Sequence, residues 1–354
     1  MLILSFVFIL LILVSIFDFI KIDVGYKILI FIGYAILLSC LAAFRYGDRD
    51  YGSYLDIYEQ LGTFFSPRDT SDVHGEPGYI LLNIFCKSFG LGSIGVFIIM
   101  AFTSVGLSLN FFRKNTKYFF VALLIYFSHV FILRDMLQIR SGLAASISLY
   151  SLVYVQRRQI FKFGLIICLA ISFHYAAAIM CLIYIIYPFT VGKPKRILYL
   201  ICSGYILGIL ISATVLTFFF TEVWVVPGVS LYINDSEYFK PLGLLNPVLV
   251  KSLVFFLLVY YFKDELATKN ELFEVFLLSA GLSIFWLAAF NQFALFAGRL
   301  ATFFSNSELI LIPSLFYTRL NKPALWGVII IYCIIMFIPK FEVFDELNFY
   351  FLTP

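Results

Sequence analysis

The sequence predicts an all-α polytopic integral membrane protein, and three observations lead there. Of its 354 residues 62% are hydrophobic and 13% charged, whereas an ordinary soluble domain is about 45–50% apolar and about 25% charged. Mean hydropathy is +0.99. A transmembrane helix needs about 20 apolar residues, and apolar runs separated by short charged loops fill nearly the whole chain. A soluble enzyme is thereby excluded.

In chain order the runs are 2–19, 27–44, 93–112, 118–133, 138–156, 160–189, 197–219, 247–262, 272–290, 295–317 and 324–338. The first has the look of a secretion signal. No Lys or Arg precedes it, however, and no small-x-small cleavage site comes before Asp18 and Lys21, so it is expected as the first span. The sixth is 30 residues long, either one tilted helix or two short ones folded back. Basic residues arbitrate, because they favour cytoplasmic loops. They cluster at Arg113, Lys114 and Lys117, at Arg157, Arg158 and Lys162, at Lys193, Lys195 and Arg196, and at Arg319 and Lys322. All four clusters share one side only if 160–189 returns to the side it left. That run is therefore predicted as a broken or re-entrant pair with its tip near Phe173, His174 and Tyr175. The expectation is a single transmembrane domain over 1–354 with about 11–12 membrane segments. Both termini then lie outside, with periplasmic loops at 45–77 and 220–246 carrying short helices, and 78–89 as a short interfacial or re-entrant helix.

Composition also narrows the chemistry. A net charge of +4 spread over many loops is no nucleic-acid footprint. The six Cys are scattered without a C-x-x-C pair. Walker, Rossmann, H-E-x-x-H and G-x-S-x-G patterns are all missing from the sequence. No cofactor and no metal are expected.

Ionisable side chains at or inside the hydrocarbon boundary are costly and so are functional candidates. One group lies in the first outer loop, which runs Arg45-Tyr46-Gly47-Asp48-Arg49-Asp50-Tyr51-Gly52-Ser53-Tyr54 and ends at Glu76-Pro77-Gly78-Tyr79. Carboxylates beside aromatic rings suit sugars: the carboxylate accepts hydroxyl hydrogen bonds while Tyr51 and Tyr54 stack on a pyranose, and Asp50 or Glu76 deprotonates an attacking hydroxyl. Asp48, Asp56, Glu59, Asp69 and Asp72 read instead as solvated loop groups. A second group is Arg134 and Arg140, two guanidiniums at the outer ends of the fourth and fifth spans, suited to gripping a diphosphate bidentately. His174, at the tip of the broken run, is a general base or a phosphate donor; irregular backbone at membrane depth is tolerated where it lines a cavity. Arg299 is a lone charge among apolar neighbours, with a phosphate role. Glu308 lies nine residues on, about two and a half helical turns, so a different partner is expected for it.

These residues, in this order, resemble the EpsG-type branch of the Wzy polysaccharide polymerases. The resemblance rests on Arg45-x-Gly47-x-x-Asp50-Tyr51-x-x-Tyr54, Glu76-Pro77-Gly78-Tyr79 with Leu82 and Asn83, Gln138-Ile139-Arg140 with Leu143-Ala144, and Phe173-His174-Tyr175-Ala176-Ala177. It covers about 40–190 well and the rest by hydropathy and Arg299; Arg49 and Ser141 depart from the usual pattern. It implies a bacterial inner-membrane glycosyltransferase, multi-pass, whose active site faces the periplasm or cell exterior. Its substrate would be an undecaprenyl-diphosphate-linked oligosaccharide, polymerised into O-antigen, capsule or exopolysaccharide. Catalytic roles fall on Glu76, Asp50 and His174, and substrate binding on Arg45, Arg134, Arg140, Arg299, Tyr51 and Tyr54. The bilayer, a flippase and chain-length regulators are the implied partners. An O-antigen ligase shares the donor chemistry. A lipid-linked oligosaccharide flippase would show a two-halved symmetry that the sequence lacks.

Overall fold

The computed structural model describes residues 2–210, 241–341 and 347–350. The expected loop at 220–246 lies outside the described residues but for 241–246, as do the end of the seventh run and part of the C-terminal segment.

In chain order the helices are α1 (Leu2–Ser15), α2 (Val24–Ala43), α3 (Tyr51–Gln60), α4 (Pro77–Ser88), α5 (Gly92–Asn115), α6 (Phe119–Tyr126), α7 (Ile139–Gln156), α8 (Ile160–Phe173), α9 (Cys181–Thr190), α10 (Lys195–Leu210), α11 (Pro247–Tyr261), α12 (Lys263–Ala267), α13 (Phe273–Ala289), α14 (Ala294–Ser305), α15 (Glu308–Ser314) and α16 (Lys322–Phe337). A π-helical stretch, Phe127–Leu137, continues α6, and a 3-10 turn, Tyr175–Met180, leads into α9. Two short strands, β1 (Arg45–Tyr46) and β2 (Asn348–Phe349), pair antiparallel.

Among the described residues four helices are long and apolar enough to cross a membrane: Val24–Ala43, Gly92–Asn115, Phe119–Leu137 and Lys322–Lys340. Ala294–Ser305 and Glu308–Tyr317 make a fifth if this pair, bent by 53°, is one span. Other apolar runs form shorter helices, such as Pro247–Tyr261 and Phe273–Ala289. The fold is an all-α, multi-pass membrane fold. The run 295–317 bends at Asn306 and Ser307, where the Ser307 hydroxyl donates to the Phe304 carbonyl at 2.8 Å, a local bond that competes with the helical ladder.

The sixth run folds back on itself. The rings of Phe163 and Tyr184 lie 4.7 Å apart, and Arg158 donates to the Tyr184 carbonyl at 2.8 Å. A straight helix would hold Phe163 and Tyr184 about 30 Å apart. The chain therefore reverses between them, and His174 stands almost midway, at the end of α8.

The chain packs as two compact units, Met1–Ser151 with Gly164–Ala178 and Arg319–Pro354, and Leu152–Phe163 with Ile179–Thr318. In the first, every residue of α6 is buried, whereas α2 leaves Val24, Leu29, Ile32 and Ile36 exposed and α16 leaves Val328, Ile331 and Ile335. Exposed apolar helix faces of this kind suit lipid rather than water. Two side chains cap helix starts: Asp18, distant in sequence, accepts from the Val121 amide of α6 at 2.8 Å, and Asn321, the local N-cap of α16, accepts from the Ala324 amide at 3.0 Å. In the second unit α13 is buried along most of its length. Gly204 and Gly208 let α10 approach its backbone at Phe285 and Ala288. Lys251 of α11 pairs with Glu308, at the start of α15, at 3.0 Å, both side chains mostly buried.

Candidate functional site

Glu76 immediately precedes Pro77, which disfavours helical backbone at the residue before it. Its φ of −75° and ψ of 149° are extended, and α4 starts at Pro77. The carboxylate thus stands at a helix N-terminus, where the dipole favours negative charge. It has two side-chain partners: Arg140 Nη1 donates to Oε2 at 2.7 Å, and His174 Nδ1 lies 2.8 Å from Oε1. Glu76 is 6% exposed in its side chain, Arg140 20% and His174 24%. The carboxylate is therefore the buried member, and the guanidinium and imidazole are each partly exposed.

Two close backbone approaches bring these residues together. A Cβ on Gly78 would lie 2.5 Å from the Ser172 hydroxyl and 2.8 Å from its carbonyl, so only glycine lets the start of α4 rest on the end of α8. A Cβ on Gly142 would lie 2.6 Å from the Arg134 carbonyl, so the first turn of α7, which carries Arg140, is seated on the π-helical stretch. That stretch ends with the Gln138 amide bonded five residues back to the Leu133 carbonyl at 3.1 Å. Within it Asp135 accepts from Ser104 and, at 2.8 Å, from Tyr126.

Aromatic rings enclose the guanidinium. Arg140 lies 5.8 Å from the Tyr54 ring centroid and 5.6 Å from that of Tyr79, within cation–π range. α3 is clamped to α4 by Lys87, whose ammonium donates to the carbonyls of Tyr58, Glu59 and Leu61 at 2.9, 3.1 and 2.6 Å. These are last-turn carbonyls that a helix end leaves unsatisfied.

A second cluster lies along the same wall. Arg45 is fully buried; it pairs with Asp48 at 3.1 Å and donates to the carbonyls of Ala42 and Leu137 at 3.1 and 3.4 Å. Its guanidinium stands 5.3 Å from the Phe97 ring, against which Tyr51 stacks at 5.2 Å and Tyr54 packs edge-on at 6.1 Å.

Burial acts to raise the Glu76 carboxyl, but the hydrogen bond with His174 and the charges of Arg140 and His174 outweigh it and hold the group below its ordinary value. For Asp48 burial prevails over Arg45 and the carboxyl is raised.

The sequence model described as the EpsG family matches residues 27–351, nearly the whole chain. The chain belongs to the EpsG family. The function this supports is of the polysaccharide-polymerase type in exopolysaccharide synthesis, in a multi-pass membrane protein. Neither a curated relative nor a solved structure matches it.

In this EpsG protein the structure joins Glu76, Arg140, His174 and Tyr54, and places Arg45 and Tyr51 on the adjoining wall. Asp50 is half-buried at the start of α3 and makes no salt bridge among the described residues. Arg134 is buried, donating to Gln138 at 2.5 Å and Ser141 at 3.0 Å, so its fork is directed into the bend before α7. Arg299 belongs to α14 in the second unit. Asp48, expected as a solvated loop group, is 5% exposed; the buried Arg45 draws it in. The sequence gives no site role to Tyr79, Gly78 or Lys87, although Gly78 and Tyr79 stand in the Glu76 motif. Tyr79 was within reach there; the Gly78 and Lys87 contacts are tertiary and leave no local signal.

Proposed function

We propose that this EpsG-family protein polymerises undecaprenyl-diphosphate-linked oligosaccharide repeat units on the outer face of the bacterial inner membrane. The observation that carries the reading is the bridge Arg140–Glu76–His174, a buried carboxylate bonded through its two oxygens to one partly exposed guanidinium and one partly exposed imidazole.

Each residue then has a part. The hydroxyl of the incoming unit attacks the anomeric carbon of the growing chain. A carbon–oxygen bond forms there as the bond to undecaprenyl diphosphate breaks, and the electron pair leaves on the diphosphate. Such a leaving group needs no general acid, only positive charge. Arg140 offers a planar fork of five N–H donors, of which the bond to Glu76 uses one. His174 takes the hydroxyl proton on Nε2, since Nδ1 faces the carboxylate, the arrangement by which a carboxylate fixes tautomer and orientation. Glu76, with both oxygens engaged and its basicity lowered, is a positioning residue rather than the base. Of the three residues that the sequence leaves open as base, Glu76, Asp50 and His174, this reading selects His174. Arg45, without exposed surface, positions the start of the loop instead of touching substrate.

The test is reconstitution in lipid nanodiscs with purified lipid-linked repeat units. A ladder of products differing by one repeat supports the reading. Transfer of a single chain to lipid A-core only would mean a ligase, and movement of the units across the bilayer without new bonds a flippase.

A further inference from the structure

We infer that Tyr350, together with Tyr46 and Tyr51, forms an aromatic subsite that stacks a pyranose ring of the glycan substrate. This rests on the polymerase reading above. Tyr350 lies far from every other site residue in sequence, and the β-bridge brings it there: Arg45 pairs with Phe349, Tyr46 with Asn348, and the Tyr350 amide donates to the Phe44 carbonyl at 2.9 Å. Its ring stands 4.8 Å from that of Tyr46, tilted by 38°, and its hydroxyl lies 2.5 Å from the Tyr51 hydroxyl. Tyr51 in turn stacks on the buried Phe97. The underside of the platform is therefore fixed by packing, while Tyr350 itself is 47% exposed.

A structural tyrosine buries its ring, and a bilayer-anchoring one stands at a helix end with its hydroxyl toward the headgroups. Tyr350 does neither: it directly follows β2, leaves about half of its surface exposed and bonds its hydroxyl to another phenol. Aromatic faces beside phenol oxygens, which donate and accept, match the apolar face and hydroxyl rim of a sugar. The Asp50 carboxylate, next to Tyr51, adds an acceptor for sugar hydroxyls. Tyr54, one helical turn after Tyr51, touches both Phe97 and Tyr79 and stands against Arg140. The platform and the reacting cluster thus share one wall, as a chain of sugars leading to the diphosphate requires.

Saturation-transfer NMR on the full chain in nanodiscs tests this, using two probes: the repeat-unit oligosaccharide released by mild acid from the host's lipid-linked intermediates, and undecaprenyl diphosphate alone. Tyr350→Ala should weaken oligosaccharide binding by about tenfold, and Tyr350→Phe, which keeps the ring, by less than about threefold. Undecaprenyl diphosphate binding should be the same in all three proteins, which also shows that the variants are folded. If Tyr350→Ala binds the oligosaccharide like wild type while wild type polymerises, the subsite is refuted and the polymerase reading survives. If wild type neither binds the oligosaccharide nor polymerises, both fall.

Discussion

Glu76 Oε1 lies 2.8 Å from His174 Nδ1 across 98 positions of sequence, one residue at the entry to a helix and the other at the end of a different one. The same carboxylate holds Arg140 through its other oxygen. Glu76→Gln keeps the size and removes the charge. An amide in place of the carboxylate no longer stabilises imidazolium or fixes the tautomer, a loss of roughly 10²–10⁴ in turnover for orienting carboxylates of this type. Chain extension by purified protein should fall by that much. Wild-type turnover would place Glu76 outside the chemistry.

Gly78→Ala tests the contact that seats α4 on α8. The added methyl meets both the hydroxyl and the carbonyl of Ser172, so α4 must shift, and Glu76 with it. Overpacking of this kind costs about 1–3 kcal/mol. A lower melting temperature and reduced extension are expected, with Ser172→Ala restoring part of both because it removes the hydroxyl and not the carbonyl. A fully active, fully stable Gly78→Ala protein would show that the two helices do not need this approach.

Much of this was legible beforehand. The apolar runs marked the helices, and the four basic clusters implied the reversal at His174 that the Phe163–Tyr184 contact displays. Glu76, Arg140 and His174 stood out because charge beside hydrocarbon is costly. What local sequence could not reveal was their pairing, since the partners lie 64 and 98 residues from Glu76. The widening of α6 into π-helix, the burial of Asp48 and the return of Tyr350 to β1 likewise depend on tertiary contacts.

Stability should depend on pH through Glu76. A carboxyl held below its ordinary 4.5 when folded adds stability above that value and loses it as pH falls through the folded one. The difference in melting temperature between wild type and Glu76→Gln should be full well above pH 4.5 and narrow progressively as the pH is taken far below it. A gap that persists there would mean that the ionised carboxylate is not its source.

In the second unit, Lys251→Met leaves Glu308 buried without its ion pair. Removing one partner of a buried pair costs about 3–5 kcal/mol, whereas replacing both by apolar groups is often close to neutral. The single variant should therefore melt well below Lys251→Met/Glu308→Leu. Equal melting temperatures would show that the pair contributes little.

In the proposed function His174 is the base that activates the acceptor. The most direct measurement is the single-turnover rate of chain extension by His174→Gln, with binding of the lipid-linked donor measured on the same preparation. The rate should fall by roughly 10²–10⁴ while donor affinity stays within about threefold of wild type. An unchanged rate, or a loss explained wholly by weaker donor binding, would contradict it and return His174 to the role of a phosphate ligand.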